Sequence, residues 1–590
     1  MINKIQLKEI DTDSCEIILN KAGRVVDGIN HGRTVLKGDG VYYKIFDKDY
    51  CRRENFVKAF ESGFFEGVAS ALQSLIVDGN DIVGYVTGTG TPIGSEFDEM
   101  PKDFYKKILS KARDKKMFFY DLVASNVIRT NDNEISLIDL ESVYNVDELY
   151  TISKHNAKVK PNYYFTELKK IWKENMKKIS FIQPSRNNLK YLKWSYESIR
   201  KNLSSDHEIC WADDFSDDGT WEWMNEIVKK DPNVKIHRNE GPKRLGHTIL
   251  YDTLVDMATN DIVMIYHADM YACPKLDEEV LKHLERGKVV SATRIEPPLH
   301  PDGPEKILQD FGIEPEEFKE EELLSFVDDI QTGNDGLLYG PMATGRETTN
   351  GIFAPWAIYK EDFQSIGGHD KLFAPQSKED SDIFNRFVLN GYELIQTWKG
   401  LVYHMTCRGS RFKDGAKRNP DGQVFMKNRE SDEWLAQNVR STRNFIRKWG
   451  HFVRHDNMMM PIVPPKYDIG IQIRNCNINF LRELEPWCSC IYLDGDAEYM
   501  SDYIESEQPN TMYNLKERVK LYGADDVTKN HDVVIQFDAV EFDNNAFQVI
   551  NNLSEILQDS GEIGEMEYYI FRFFINSLET YEKELIICES

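Results

Sequence analysis

The sequence predicts a multidomain α/β protein, and three observations carry that expectation. Its 590 residues exceed what one hydrophobic core usually organises, about 100–200 residues. From Lys178 onward, short apolar strands alternate with single amphipathic helices, the pattern of a doubly wound sheet with a ligand at its carboxyl edge. The charge is also uneven. From Tyr467 onward 25 acidic residues face 8 basic ones, a net −17, which leaves −9 of the total −26 for everything before it. A break of that size marks a separate C-terminal α/β domain.

Composition narrows the function. With 41% hydrophobic, 12% aromatic and 29% charged residues, the chain is an ordinary globular mixture rather than a disordered one. No apolar run approaches the roughly 18–20 residues that span a bilayer. The start, MINKIQLKEIDTDSCEIIL, is charged and lacks the apolar stretch of a secretory signal. Nine cysteines without a framework spacing read as reduced thiols, so a cytoplasmic location is expected. The negative field argues against nucleic acid and anionic membranes as partners.

The expected division is 1–175, 176–455, a proline-rich linker at 456–466, and 467–590. In the middle segment KISFIQPSRNN, HEICWADDFSDDGT, VKIHRNE and DIVMIYHADM read as strands, with a helix after each of the first three. Two strands end in acids, at Asp213–Asp218 and at His267–Asp269. Carboxylates gathered at a ligand edge need hydrogen-bond donors on the ligand or a cation between them. A nucleotide sugar meets both needs, through base and ribose donors and a metal-bridged diphosphate.

The same residues resemble a family 2 glycosyltransferase over roughly 270 residues. Pro184-Ser185-Arg186-Asn187 looks like its first-strand turn, Asp213-Asp214-Phe215-Ser216-Asp217-Asp218-Gly219-Thr220 like its "DDxSxDGT" loop, and His267-Ala268-Asp269 stands where it has DxD. Ile366–Asp370, Lys378–Asp382, Val402–His404 and Asn444–Gly450 follow in family order. The resemblance implies a GT-A fold and inverting transfer of a sugar, UDP-linked by expectation, to a glycan or other hydroxyl acceptor. It implies donor contacts from Pro184, Ser185, Asp213 and Asp214, and Mn²⁺ or Mg²⁺ held by Asp269 and His404. Asp380 would be the general base, with Glu379 its nearest competitor. His267 departs from the family's aspartate, and could be a metal ligand, a ribose donor or structural. Outside the resemblance, Lys243 and Arg244 after the third strand read either as a phosphate pair for the donor or as surface charges. An insertion between Glu296 and Asn350 is the expected seat of acceptor specificity.

The first segment carries Lys44 inside an alternating strand. Asp121 is followed five residues on by Asn126, then by a hydrophobic hairpin ending in Asp139. Those are the spacings of a phosphate-binding lysine, a catalytic loop and a metal aspartate. The stretch resembles small bacterial sugar and lipopolysaccharide kinases over about 140 residues, which implies an α+β fold with a possible ATP site. Phe119 replaces the loop histidine, and Leu140-Glu141 replaces Phe-Gly. The alternatives for the whole chain are a bifunctional glycan kinase and transferase, or a non-catalytic nucleotide- or sugar-binding scaffold. The last segment is expected to form strands at Tyr467–Ile473, Ser489–Leu493, Asp532–Phe537, Tyr568–Ile575 and Glu584–Cys588, and carries no catalytic constellation.

Overall fold

The computed structural model describes residues 2–588 apart from 24, 27–28, 95–100, 121, 123–125, 146–163, 165–166, 169–170, 172–176, 334–346, 351–352, 407–414, 427–429, 496–497 and 523–525. The chain forms two compact units, 1–176 and 177–590. Among the described residues no helix is long and apolar enough to cross a membrane.

The first unit is built on a six-stranded sheet in the order Asn3–Gln6, Leu72–Asp78, Asp81–Gly88, Val41–Phe46, Arg33–Lys37, Glu16–Asn20. All neighbours are antiparallel except the first pair. The helices Arg53–Glu61 and Lys102–Lys115 bury Phe56 and Ala59, and Phe104, Ile108 and Ala112, into a core shared with Phe46, Tyr85 and Phe118. Lys44 sits at the centre of the sheet. Asp121 lies outside the described residues.

In the second unit the chain runs β1 (Ile179–Ser185), α1 (Leu189–Asn202), β2 (Glu208–Asp214), α2 (Thr220–Val228), β3 (Val234–Asn239), α3 (His247–Met257), β4 (Ile262–Ile265), β5 (Met270–Ala272), α4 (Leu276–His283) and β6 (Lys288–Glu296). It continues through α5 (Glu320–Thr332), β7 (Trp356–Tyr359), α6 (Glu379–Leu389), β8 (Glu393–His404) and α7 (Asp432–Trp449). The main sheet has the order β3-β2-β1-β4-β7-β6-β8-β5. Strands β3, β2, β1 and β4 are parallel, as the alternating pattern predicts. The second half corrects the expected doubly wound parallel sheet. β7 is antiparallel to both β4 and β6, and β5 is antiparallel to β8, so the sheet is mixed. These pairings join strands far apart in sequence, Ile262 with Tyr359 and Met270 with His404, so no short-range pattern sets their direction, while β6 and β8 return to the parallel sense.

Alternation along the strands splits the core in two. Ile179 and Phe181 face Leu192, Ile199 and Met224 of α1 and α2, while Ile182 and Ala212 face Leu250, Tyr251 and Leu254 of α3. Gly246 starts α3 at φ +79°, where an added Cβ would stand 2.1 Å from the Pro375 carbonyl oxygen, so the turn needs glycine. Ser431 caps α7 by accepting from the Trp434 amide, and Gly450 ends it at φ +82°.

The last segment adds β9 (Ile469–Arg474), β10 (Cys490–Leu493), β11 (Val519–Leu521), β12 (Val533–Asp538), α8 (Leu553–Ser560), β13 (Gly564–Tyr568) and β14 (Phe571–Ile575). Its sheet runs β11-β10-β9-β12-β14-β13, parallel through β12 and closed by an antiparallel hairpin. The strand expected at Glu584–Cys588 is instead a short 3-10 turn at Glu582–Leu585. Its apolar residues pack against the larger sheet's core, Ile586 among them, rather than joining a ladder. Helix α7 serves both cores. Ile446 belongs to the C-terminal cluster, while Phe445 and Trp449 pack with Leu372 and Phe373.

Candidate active site

The carboxyl ends of the parallel strands open into a cavity of about 1170 Å³. Its wall includes Pro184, Ser185, Asp214, Arg244, His267, Asp269, Glu379, Asp380 and His404, so the structure brings all but one of the transferase residues singled out above to one space. The exception is Asp213, which lies one step behind the wall. It is fully buried, with one carboxylate oxygen accepting from the Ser216 amide and the other 3.5 Å from Arg238 Nε.

The turn after β1 and the loop after β2 hold each other. Asn187 Oδ1 accepts from the Asp217 amide, Ser216 Oγ from the Asn187 amide, and Asp218 from the Leu189 amide. Asp214 does similar work, accepting from the Leu245 and Gly246 amides and from Asn239 Nδ2 at 2.8–3.0 Å. Many of the motif's acids therefore build the wall. Ser185 Oγ is buried at that wall without a hydrogen-bond partner, so its capacity is left for a ligand. Arg244 reaches Gln376 Oε1 at 2.8 Å and stands 3.6 Å from Asp214, and burial pushes its pKa down.

Strand pairing sets the opposite side. β5 aligns Met270 with His404, which brings the β4–β5 connection beside the end of β8. His267, Asp269 and His404 offer ligand atoms within 4.8 Å of one another, and the two imidazole centroids are 5.6 Å apart. Burial and the neighbouring His404 hold His267 near pKa 3, so it is a neutral nitrogen donor. His404 shows the reverse balance. Burial works against its charge, but Asp269 at 3.4 Å and Glu296 at 2.7 Å raise it to about 9. A proton on His404 Nε2 thus faces Asp269, in the place a divalent cation can take. Two imidazoles and a carboxylate, with Glu296 orienting one ring from behind, fit Mn²⁺.

The two carboxyl groups at the start of α6 differ. Glu379 accepts from, or shares a proton with, His247 Nε2 at 2.6 Å. Burial would raise the Glu379 pKa, yet the His247 charge lowers it. Asp380 is pushed up to about 6 by burial and then by the Glu379 charge. A pair of carboxyls whose values are forced apart separates a fixed anion from a proton acceptor working near neutrality. Beneath them Asp382 is fully buried, 2.7 Å from Lys448 Nζ, bonded to Arg386 Nε at 2.9 Å and to Trp449 Nε1 at 3.0 Å. The Lys448-Trp449-Gly450 end of α7 therefore anchors the helix that presents Asp380.

Sequence reasoning missed His247 and Glu296. His247 follows a glycine at a helix start, without a family signature. Glu296 had a usable signal, since Arg294 and Glu296 are two charges at the end of a strand whose residues 289–296 are all buried, and must have partners. It also missed Trp434 and residues 453–461, which contribute to the cavity. A further cluster, Glu279, His283 and Glu347, lies elsewhere in the unit, but Lys282 and Lys399 already pair with Glu347. In the first unit Lys44 Nζ meets Asp139 and lies 3.3 Å from Glu141, which also receives Tyr85 Oη and faces Arg33 at 3.3 Å.

Residues 180–359 match the family model described as Glycosyl transferase family 2, which places a domain of that family within the chain. Two solved structures are similar to this chain. One is the mannosyltransferase PcManGT from Pyrobaculum calidifontis in complex with GDP-Man and Mn²⁺, at 16% identity and TM-score 0.28, covering 44% of this chain and 64% of that one. The other is GalNAc-T7 with UDP, GalNAc and Mn²⁺, at 15% identity and TM-score 0.31, covering 47% of this chain and 52% of that one. The chain thus spans less than two thirds of either protein.

Proposed function

We propose that the family 2 domain moves a sugar from a UDP-sugar to a hydroxyl of a glycan acceptor, with inversion at the anomeric carbon and with Asp380 as general base. The observation that carries this reading is the convergence, in one cavity, of the His267–Asp269–His404 cluster and a carboxyl raised to about 6. Ser185 and Asp214 would meet the nucleoside, and Arg186 and Arg244, which line the same cavity, would meet the diphosphate. His267, Asp269 and His404 would hold Mn²⁺, or Mg²⁺, which when bound supplies charge neutralisation to the departing diphosphate. Asp380 accepts the acceptor hydroxyl's proton as the new C–O bond forms and the bond to the diphosphate oxygen breaks. Glu379, held by His247, keeps a fixed charge beside it. Among the described residues eight cysteines are unpaired, which suits a reducing cytoplasm.

The test is a thermal-shift panel of UDP-, GDP-, CMP- and dTDP-sugars with and without Mn²⁺. A ligand at about 100 times its Kd adds about 2.7 kcal/mol to the folded state. A Mn²⁺-dependent shift with UDP compounds alone is expected. A folded sample that responds to no nucleotide would sink the donor reading and favour the scaffold alternative.

The bifunctional alternative rests on Lys44 and Asp139 meeting in one place, where a phosphate-binding lysine and a metal aspartate would both be needed. Against it stands Glu141, whose buried carboxylate takes the same lysine. A phosphate would have to displace that charge, so we propose a nucleotide-binding or inert role for residues 1–176, checked by the response of the full chain to MgATP.

A further inference from the structure

The chain segment between the two sheets of the second unit turns into the cavity. Val453, Arg454, His455, Met459 and Pro461 all line it, together with the half-buried Trp434 from the first turn of α7. The segment is a built hairpin. His455 bridges to Pro461, the Asp456 amide donates to the Met460 carbonyl at 2.9 Å, and Asp456 Oδ1 accepts from the Met458 and Met460 amides. Met459 at its tip has φ +62°, a conformation methionine adopts only where the surroundings impose it. Met460 packs into the core cluster that contains Leu250, Tyr251 and Phe384, on the helices that carry His247 and Asp380. The hairpin and the base therefore share one cavity wall and one supporting core.

What holds it there belongs to the C-terminal domain. The Arg454 guanidinium meets the Glu555 carboxylate on α8 and the Asn551 carbonyl just before that helix. Phe452 packs edge-on against Trp487 at 5.1 Å, and past the hairpin the Lys466 amide donates to the Glu582 carboxylate at 3.0 Å. The hairpin is pinned at both ends, and Arg454 has its hydrogen bonds committed to α8 although it lies on the cavity wall.

We propose that this hairpin forms part of the acceptor subsite of the transferase, taking a sugar hydroxyl, and that the C-terminal domain positions it through Arg454 and Glu555. The inference rests on the donor reading above. Its physical content is twofold: the hairpin aligns an acceptor hydroxyl with Asp380, and it keeps water from the anomeric carbon while no acceptor is bound. Arg454 and Glu555 are positioning residues, and neither touches the reacting atoms.

The test uses the full chain, its Glu555→Gln variant and, as a stronger perturbation, Glu555→Arg. Three quantities are read: amide hydrogen exchange at 453–461, the Kd for UDP with Mn²⁺ by calorimetry, and UDP released from UDP-glucose, UDP-galactose and UDP-N-acetylglucosamine without added acceptor. The variants should exchange faster at 453–461, bind UDP as the parent does, and release UDP about three-fold faster or more because water reaches the donor. Unchanged exchange in both variants overturns the latch. Faster exchange with intact UDP binding and unchanged UDP release overturns the wall. A parent chain that binds no UDP overturns the donor reading, and this proposal with it, an outcome distinct from the other two.

Discussion

The second unit contains two parallel-type sheets whose carboxyl edges both carry acids, and they differ in what those acids have left to give. At the larger sheet the edge opens into a cavity where Ser185 Oγ and Glu379 Oε2 are buried without hydrogen-bond partners and where Asp380 is held near pKa 6. At the C-terminal sheet the equivalent positions satisfy one another. The Asn475 amide donates to Asp494, Asn475 Nδ2 donates to Asp538, Asp538 also accepts from the Val540 amide, and Asn477 caps the helix that follows it. The lesson is that acids at strand ends do not make a site. Unspent hydrogen-bonding capacity facing a cavity does.

The sharpest way to break that contrast is to remove the base. Asp380→Asn should lower kcat by about 10²–10⁴ while the Kd for UDP with Mn²⁺ stays put, read by turnover and calorimetry in parallel. A small effect on kcat would move the chemistry elsewhere. Next in size, Glu296→Gln removes the carboxylate behind His404 and should weaken Mn²⁺ about 10–100-fold, measured as the metal concentration for half-maximal activity. An unchanged metal requirement would take His404 out of the ligand set.

The acid limb of activity tests the electrostatics. Asp380 works unprotonated and its pKa in the free protein is raised to about 6, so log(kcat/KM) should be level above that value and fall about one unit per pH unit below it. Glu379→Gln removes one of the two causes of the rise, so its limb should lie at lower pH. A limb that moves up or stays would contradict the assignment. The smallest expectation concerns the satisfied edge: Asp494→Asn should leave turnover unchanged and stability within about 0.5 kcal/mol. A clear loss of activity there would mean that the quiet sheet is not quiet.

The strands, their order through β4 and the motif acids were legible because they are local. Alternating apolar residues, a glycine turn and an acid at a strand end are readable within ten residues. The directions of β7 and β5 were not, since they depend on partners up to 134 residues away, as Met270 and His404 are. Roles within motifs were only partly legible. Asp213 and Asp214 stand in the expected loop, but which one faces the cavity depends on the amides of residues 245 and 246 folding back onto Asp214. The least legible part was 456–466. Three prolines and no periodicity describe a linker equally well whether it crosses open solvent or lines a wall, because the lining is decided by Glu555, about a hundred residues on.

Helix α7 carries buried ion pairs on two sides. One side holds Asp382 through Lys448, and the other sends Arg447 and Arg443 to Glu485 and Glu507 on helical turns beside the C-terminal sheet, with Arg447 and Glu485 both fully buried. A lone member of such a set costs several kcal/mol, so neither side tolerates a stranger. For recombination between related genes this makes the proline-rich stretch a poor crossover point. A foreign tail domain spliced in after α7 would have to bring its own answer to two arginines, and the two sheets should therefore be inherited together.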